Sequence, residues 1–171
     1  KDTVIKTSPE TPCYIMQTLN LSGVDVLTFY DSGANNNLVN SSLAENIGFR
    51  LLSRNLIRFG VAGGGSVDSN CGQYAAVLGP DRNGDYHDVE CQGVETITSV
   101  FPQFDLVPLH PAAQQYLPSP KPNLPPVIGG DEVKLLIGIR STQLAPQLLL
   151  TIPGGLCVYR SVFTDIWRSE Y

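Results

Sequence analysis

Apolar and polar positions alternate along Cys13–Leu21 (CYIMQTLNL) and again along Val24–Tyr30 (VDVLTFY). That two-residue period predicts two strands, each with a buried face, and Ser22-Gly23 between them supplies the hairpin turn. The spacing then changes. In LVNSSLAENIGF, Leu43, Ala44 and Ile47 form a short apolar face at helical intervals, Asn40 or Ser41 can cap its start, and Gly48 closes it. Next comes FGVAGGGSV (Phe59–Val67), two apolar flanks around three consecutive glycines. GQYAAVLG and DYHDVECQGVETIT read as strands joined by PDRNGD, in which Asn83-Gly84 is a hairpin signal. HPAAQQYL predicts a short helix with Pro111 in its first turn. Pro118–Pro126 is a stiff, extended Pro-rich loop. Glu132–Gly138 (EVKLLIG) is a continuous apolar strand ending on glycine, STQLAPQLLL is ambiguous, and Gly155–Phe163 is a late strand. The expected fold is all-β, mainly antiparallel, with one or two short helices. It forms one domain over residues 1–171, because the part beyond the Pro-rich loop is too short to build its own core.

Composition agrees with that picture. A chain of 171 residues can bury a real core, and Gly 16 with Pro 13 and β-branched runs lean towards strands. Only 16% of residues are charged, which leaves room for surface covered by another subunit. A net charge of −5 argues against nucleic acid as the main partner, since phosphate binding needs a basic face. No apolar run reaches the roughly 18 residues of a membrane span. Lys1–Glu10 is a polar lead-in, and with no initiator Met or signal-peptide pattern the sequence reads as a piece of a longer product. Cys13, Cys71, Cys91 and Cys157 lack metal-ligand spacing, and neither His87 nor His110 sits at such spacing from a Cys, so no metal and no cofactor is expected. Four free thiols in a reducing compartment is the preferred reading. The cysteine count alone leaves a disulfide-bearing secreted β domain open.

The second predicted strand runs to a single carboxylate. Six of the seven residues Val24–Tyr30 are apolar or Thr, and Asp31-Ser32-Gly33-Ala34 follows at once, with Asn35, Asn36 and Asn37 behind it. By itself Asp-Ser-Gly is an ordinary turn in which the Asp accepts a local backbone hydrogen bond. Here the turn is fed by a core strand, which makes Asp31 a candidate for chemistry. One carboxylate is not enough, however, because acid–base work on a stable bond needs two groups in opposite protonation states.

LTFYDSGANNNLV resembles the Asp-Thr/Ser-Gly-Ala signature of the retropepsin-like aspartic proteases, and VKLLIG resembles that family's second element, an apolar-apolar-Gly strand end. FGVAGGGSV lies between them, where the family keeps its glycine-rich flap. CGQYAAVL, VECQGVETIT and GLCVYRSVF extend the similarity, which is greatest to the protease domains of BEL/Pao-type LTR retrotransposon polyproteins.

The resemblance implies an aspartic endopeptidase. Bilobed relatives carry two Asp-Thr/Ser-Gly turns in one chain of about twice the single-domain size, whereas this chain has one, so the second carboxylate would be Asp31 of a second copy across a two-fold axis. Two carboxylates about 3 Å apart share one proton, one acting as base on water and the other as acid. Ser32 would brace the paired turns, Gly33 would let substrate backbone approach, and Ala34 would keep the rear of the turn small. Val61, Ala62, Gly63, Gly64, Gly65 and Val67 would form the flap, and with Leu136 would line the cleft. Ile139 stands where the retroviral brace has its Arg, with Arg140 one place later, and Asn35 stands where the brace has its Asp, so that brace is not expected; the segment from Gly79 to Asp131 exceeds what retroviral relatives need. The implied substrate is the element's own polyprotein, cut within cytoplasmic particles. The rival reading keeps the fold as a dimerisation or peptide-binding module with weak or no catalysis.

Overall fold

In the computed structural model, which describes residues 15–61, 64–117, 124–152, 156–163 and 165–169, the first hairpin forms where the alternation predicts it. Strand β1 (Ile15–Leu21) pairs antiparallel with β2 (Val24–Tyr30), from Ile15 opposite Tyr30 to Leu21 opposite Val24. Both turn residues have positive φ, 52° at Ser22 and 85° at Gly23, the backbone that a two-residue hairpin requires. The lead-in Lys1–Glu10, Cys13 and residues 118–123 of the Pro-rich loop lie outside the described residues.

The chain continues through β3 (Asn37–Asn40), a strand that the alternation does not announce, into helix α1 (Ser41–Ile47). Asn40 Oδ1 accepts from Leu43 N at 2.9 Å, and Gly48 ends the helix in the left-handed conformation. Strands β4 (Arg50–Val61) and β5 (Gly65–Leu78) form a long hairpin with a register shift between Leu51 and Ser53. Then follow β6 (His87–Val94), the two-residue strands β7 (Phe104–Asp105) and β8 (Val127–Ile128), and helix α2 (His110–Tyr116) between those two. After β9 (Leu135–Ile137), a 3-10 helix (Ile139–Leu144) leads to β10 (Gln147–Ile152), β11 (Leu156–Arg160) and β12 (Asp165–Ser169). The protein is thus mainly β structure with a few short helices. Strand β6 stops at Val94, short of the predicted Thr98, and pairs antiparallel with β5 across the expected PDRNGD connection. That connection is a loop from Gly79 to Tyr86 organised by Asp81, whose Oδ1 accepts from Asn83 N at 2.8 Å and Asp85 N at 2.9 Å.

One seven-stranded sheet carries the fold, in the order β1-β2-β9-β3-β6-β5-β4. Strand β9, late in the chain, inserts between two early strands, parallel to β2 and antiparallel to β3. The middle of the sheet is covered on both sides, which explains why Leu135–Ile137, the part of the expected Glu132–Gly138 strand that pairs as β9, is apolar without alternation. On one side Val26, Tyr30, Val39, Tyr74, Leu78, Leu135 and Ile137 join one core cluster. On the other, Met16, Leu27, Phe29 and Leu136 meet Leu106, Ala113, Leu117, Leu124, Ile128 and Val133. The long segment between β6 and β9 therefore covers a face of the sheet, with Phe29 edge-on to Phe101 at 5.0 Å. Tyr30 OH donates to Gln17 Oε1 at 2.8 Å, and Ser161 Oγ donates to the same oxygen at 2.9 Å, tying the first hairpin to the C-terminal strands. Burial pushes the Tyr30 phenol well above its ordinary range. Cys91 and Cys157 are free and buried. Among the described residues no helix is long and apolar enough to cross a membrane.

Candidate active site

Asp31 begins where β2 ends. Its backbone N–H donates to Ile137 O at 2.9 Å, so the inserted strand β9 holds the start of the turn. The chain then folds back, with Ala34 N donating to Asp31 O at 3.2 Å, and the half-buried carboxylate is fixed by its own loop: Gly33 N donates to Asp31 Oδ1 at 2.8 Å. The other carboxylate oxygen, Oδ2, has no hydrogen bond among the described residues. A Cβ at position 33 would sit 3.2 Å from Asp31 Oδ1, so glycine there keeps the carboxylate uncrowded. Ser32 is exposed, and its hydroxyl has no partner among the described residues of the chain.

Gly138 is the point where the two halves cross. A Cβ here would lie 2.6 Å from Ala34 O and 2.7 Å from Asn36 O, both backbone atoms that cannot swing aside. Ile139 N donates to Ala34 O at 2.9 Å, and Gly138 N donates to Asn37 Oδ1 at 2.8 Å. Asn37 is 5% exposed, and its Nδ2 donates to Ser141 Oγ at 2.9 Å and Glu90 O at 3.1 Å. One side chain thus ties together the end of β9, the 3-10 helix and β6 around the turn that carries Asp31. Sequence reasoning missed this residue. Nothing local separates it from Asn35 and Asn36, both exposed, and its partners at Gly138 and Ser141 are 101 and 104 positions away.

The remaining expected residues fall in different places. Leu136 is buried in the second core cluster with Met16 and Phe29, on the face opposite Ile137. Ile137, together with Tyr30, Asp31, Ser32, Ile139 and Pro146, lines a hollow of about 280 Å3 beside the carboxylate. Val61 pairs with Gly65, and Val67 with Phe59, at the end of the β4–β5 hairpin. Gly64 there has φ 87°, a conformation that glycine adopts freely. Ala62 and Gly63, along with the side chains of Val61 and Val67, lie outside the described residues. Arg140 and Asn35 are both exposed, and no hydrogen bond joins them. No group of three or more His, Cys, Asp or Glu among the described residues is placed to hold a metal ion.

Comparison of the chain with protein-family models, with curated proteins and with solved structures finds no match in any of the three.

Proposed function

We propose that this chain is a retropepsin-like aspartic endopeptidase that works as a homodimer and processes a retrotransposon polyprotein of the BEL/Pao type. The observation that carries the reading is the crossing at Gly138. An apolar-apolar-Gly strand inserted between β2 and β3 holds the Asp-Ser-Gly turn by the backbone of Asp31 and of Ala34. A long hairpin whose far end holds Gly64 and Gly65 supports a flap that opens for substrate and closes over it.

The chemistry follows from two such turns meeting across a two-fold axis. Each Asp31 has Oδ1 held by Gly33 N, which leaves Oδ2 for water and for the partner. The pair shares one proton. The ionised carboxylate takes a proton from the water between them as the water oxygen attacks the scissile carbonyl carbon. The protonated one donates a hydrogen bond to the carbonyl oxygen, and the proton taken from water passes to the leaving amine as the C–N bond breaks. An extended peptide pairs its backbone as an added strand and offers alternate side chains to pockets. Tyr30, Ile137, Ile139 and Pro146 beside Asp31 favour apolar residues near the scissile bond.

Solution mass and pepstatin-sensitive cleavage, measured on one sample, test the reading. A dimer that cleaves peptides, is inhibited by pepstatin and loses cleavage but not dimer mass on Asp31→Asn is expected. A dimer that cleaves nothing between about pH 4 and 7, the range of carboxylate-dyad titration, leaves the dimerisation or peptide-binding module instead. A monomer that stays inactive at high concentration overturns both.

A further inference from the structure

A second hollow, of about 510 Å3, opens where Asn36 and Asn37 meet β6 and the 3-10 helix, and Asp31 is not part of its wall. Two of its lining side chains are more than nine-tenths buried and incompletely paired. Gln92, 4% exposed, donates its amide nitrogen to Gly72 O at 3.2 Å, and its carbonyl oxygen has no partner among the described residues. Ser141, 5% exposed, accepts from Asn37 Nδ2, and its own hydroxyl proton meets no acceptor among the described residues. A buried acceptor and a buried donor left open in one cavity are each unfavourable unless something fills them. Arg140 borders the same hollow, exposed and without a carboxylate partner among the described residues. Asp88 and Glu90 also border it, the Glu90 carboxylate receiving only a long 3.4 Å bond from Gln73 among the described residues.

We propose that this hollow binds the carboxamide side chain of a glutamine or asparagine in an extended polypeptide. A carboxylate ligand would face Asp88 and Glu90 and would leave the Gln92 oxygen without a donor. An ammonium would face Arg140 and would leave the Ser141 proton without an acceptor. A carboxamide satisfies both: its N–H donates to Gln92 Oε1, and its carbonyl accepts from Ser141 Oγ–H, with Arg140 as a second donor. The space greatly exceeds the roughly 30 Å3 of a single water and admits the neighbouring residues of a polypeptide as well. Only the identity of that polypeptide as substrate rests on the protease reading; under it, Asn36 links the hollow to the catalytic turn, and the side chain recognised lies away from the scissile bond.

The test uses the full 15N-labelled chain carrying Asp31→Asn, titrated with N-acetyl-glutamine-N-methylamide, its glutamate and lysine counterparts, and free glutamine. The capped glutamine is expected to shift the Gln92 side-chain amide and the Ser141 backbone amide saturably. The glutamate and lysine probes and the free zwitterion should respond at least tenfold more weakly, and Gln92→Met should weaken the capped glutamine about tenfold. Arg140→Ala, at an exposed position, should weaken it severalfold even if Gln92→Met fails to fold. Equal responses to all probes, no saturable shift, or a shift untouched by Arg140→Ala overturns the proposal. Cleavage of a peptide library by the native chain keeps the two readings apart. Amide binding without any cleavage removes the protease and keeps the site, whereas cleavage with neither an amide preference nor a shift removes the site and keeps the protease.

Discussion

Replacing Asn37 by leucine, whose side chain has the same number and branching of heavy atoms, tests the geometry around Asp31. The substitution removes three hydrogen bonds: from Gly138 N at 2.8 Å, to Ser141 Oγ at 2.9 Å and to Glu90 O at 3.1 Å. Gly138 is buried and Ser141 is 5% exposed, so at least two buried polar groups lose their partner. At roughly 1–3 kcal/mol for each orphaned group, the loss is about 2–6 kcal/mol, a large share of the 5–15 kcal/mol typical of a domain. Urea denaturation followed by circular dichroism measures it, at fixed protein concentration because self-association would add to apparent stability. Hydrogen exchange at the Asp31 amide, bonded to Ile137 O, should accelerate in the same variant. Asn37→Asp adds a pH signature. It keeps the acceptor for Gly138 N but sets a carboxyl oxygen against Glu90 O, so burial and that carbonyl disfavour its charged form and raise its folded pKa above the unfolded value of about 3.9. The folded state then binds the extra proton. The penalty is absent below about pH 4 and grows as pH rises through the folded pKa, which makes this variant weaker at pH 7 than at pH 4. A loss below about 1 kcal/mol for Asn37→Leu, under even one orphaned group, or a pH-independent Asn37→Asp, would refute the reasoning.

Gly138→Ala should destabilise by about 3 kcal/mol, the upper range for overpacking, because the added carbon meets the backbone oxygens of Ala34 and Asn36; chemical denaturation checks this, and a stability near wild type contradicts the crossing. Gly33→Ala places its carbon 3.2 Å from Asp31 Oδ1, so peptide cleavage should fall at least tenfold while the melting temperature changes little. The hydrogen bond from His87, 2.8 Å away, is the largest cause holding the Asp81 carboxyl below its ordinary value, helped by the backbone N–H groups of Asp85 and Asn83. Its stabilisation is present above the unfolded pKa of about 3.9 and is lost as pH falls through the lower folded value. His87→Ala should move the Asp81 titration, read by carboxyl 13C shifts, upward towards the ordinary value.

Much of the local structure could be read from short windows of the chain. The Ser22-Gly23 turn, the Asn40 and Gly48 ends of α1, and Pro111 in the first turn of α2 all depend on residues within a few positions of one another, where backbone torsions and caps decide the outcome. The candidate carboxylate could be read too, because a core strand running into Asp-Ser-Gly is visible in order alone. Asp81 was less legible, since Asn83-Gly84 hid an Asx-organised loop behind a familiar hairpin dipeptide.

What only the folded chain decided is which distant segments satisfy one another. An apolar run such as Leu135–Ile137 states that it is buried on both faces, not which strands flank it or which face each side chain takes. Insertion between β2 and β3 sent Leu136 to the core beneath the inserted segment and Ile137 to the core on the opposite face, at the wall of the hollow beside Asp31. Strand β3 and the work of Asn37 were hidden for the same reason. A buried amide finds partners by closing hydrogen bonds across the sheet, and loops of about a hundred residues leave no periodic trace in sequence. Local torsional preference wrote the turns and caps; burial and hydrogen-bond satisfaction at long range set the site.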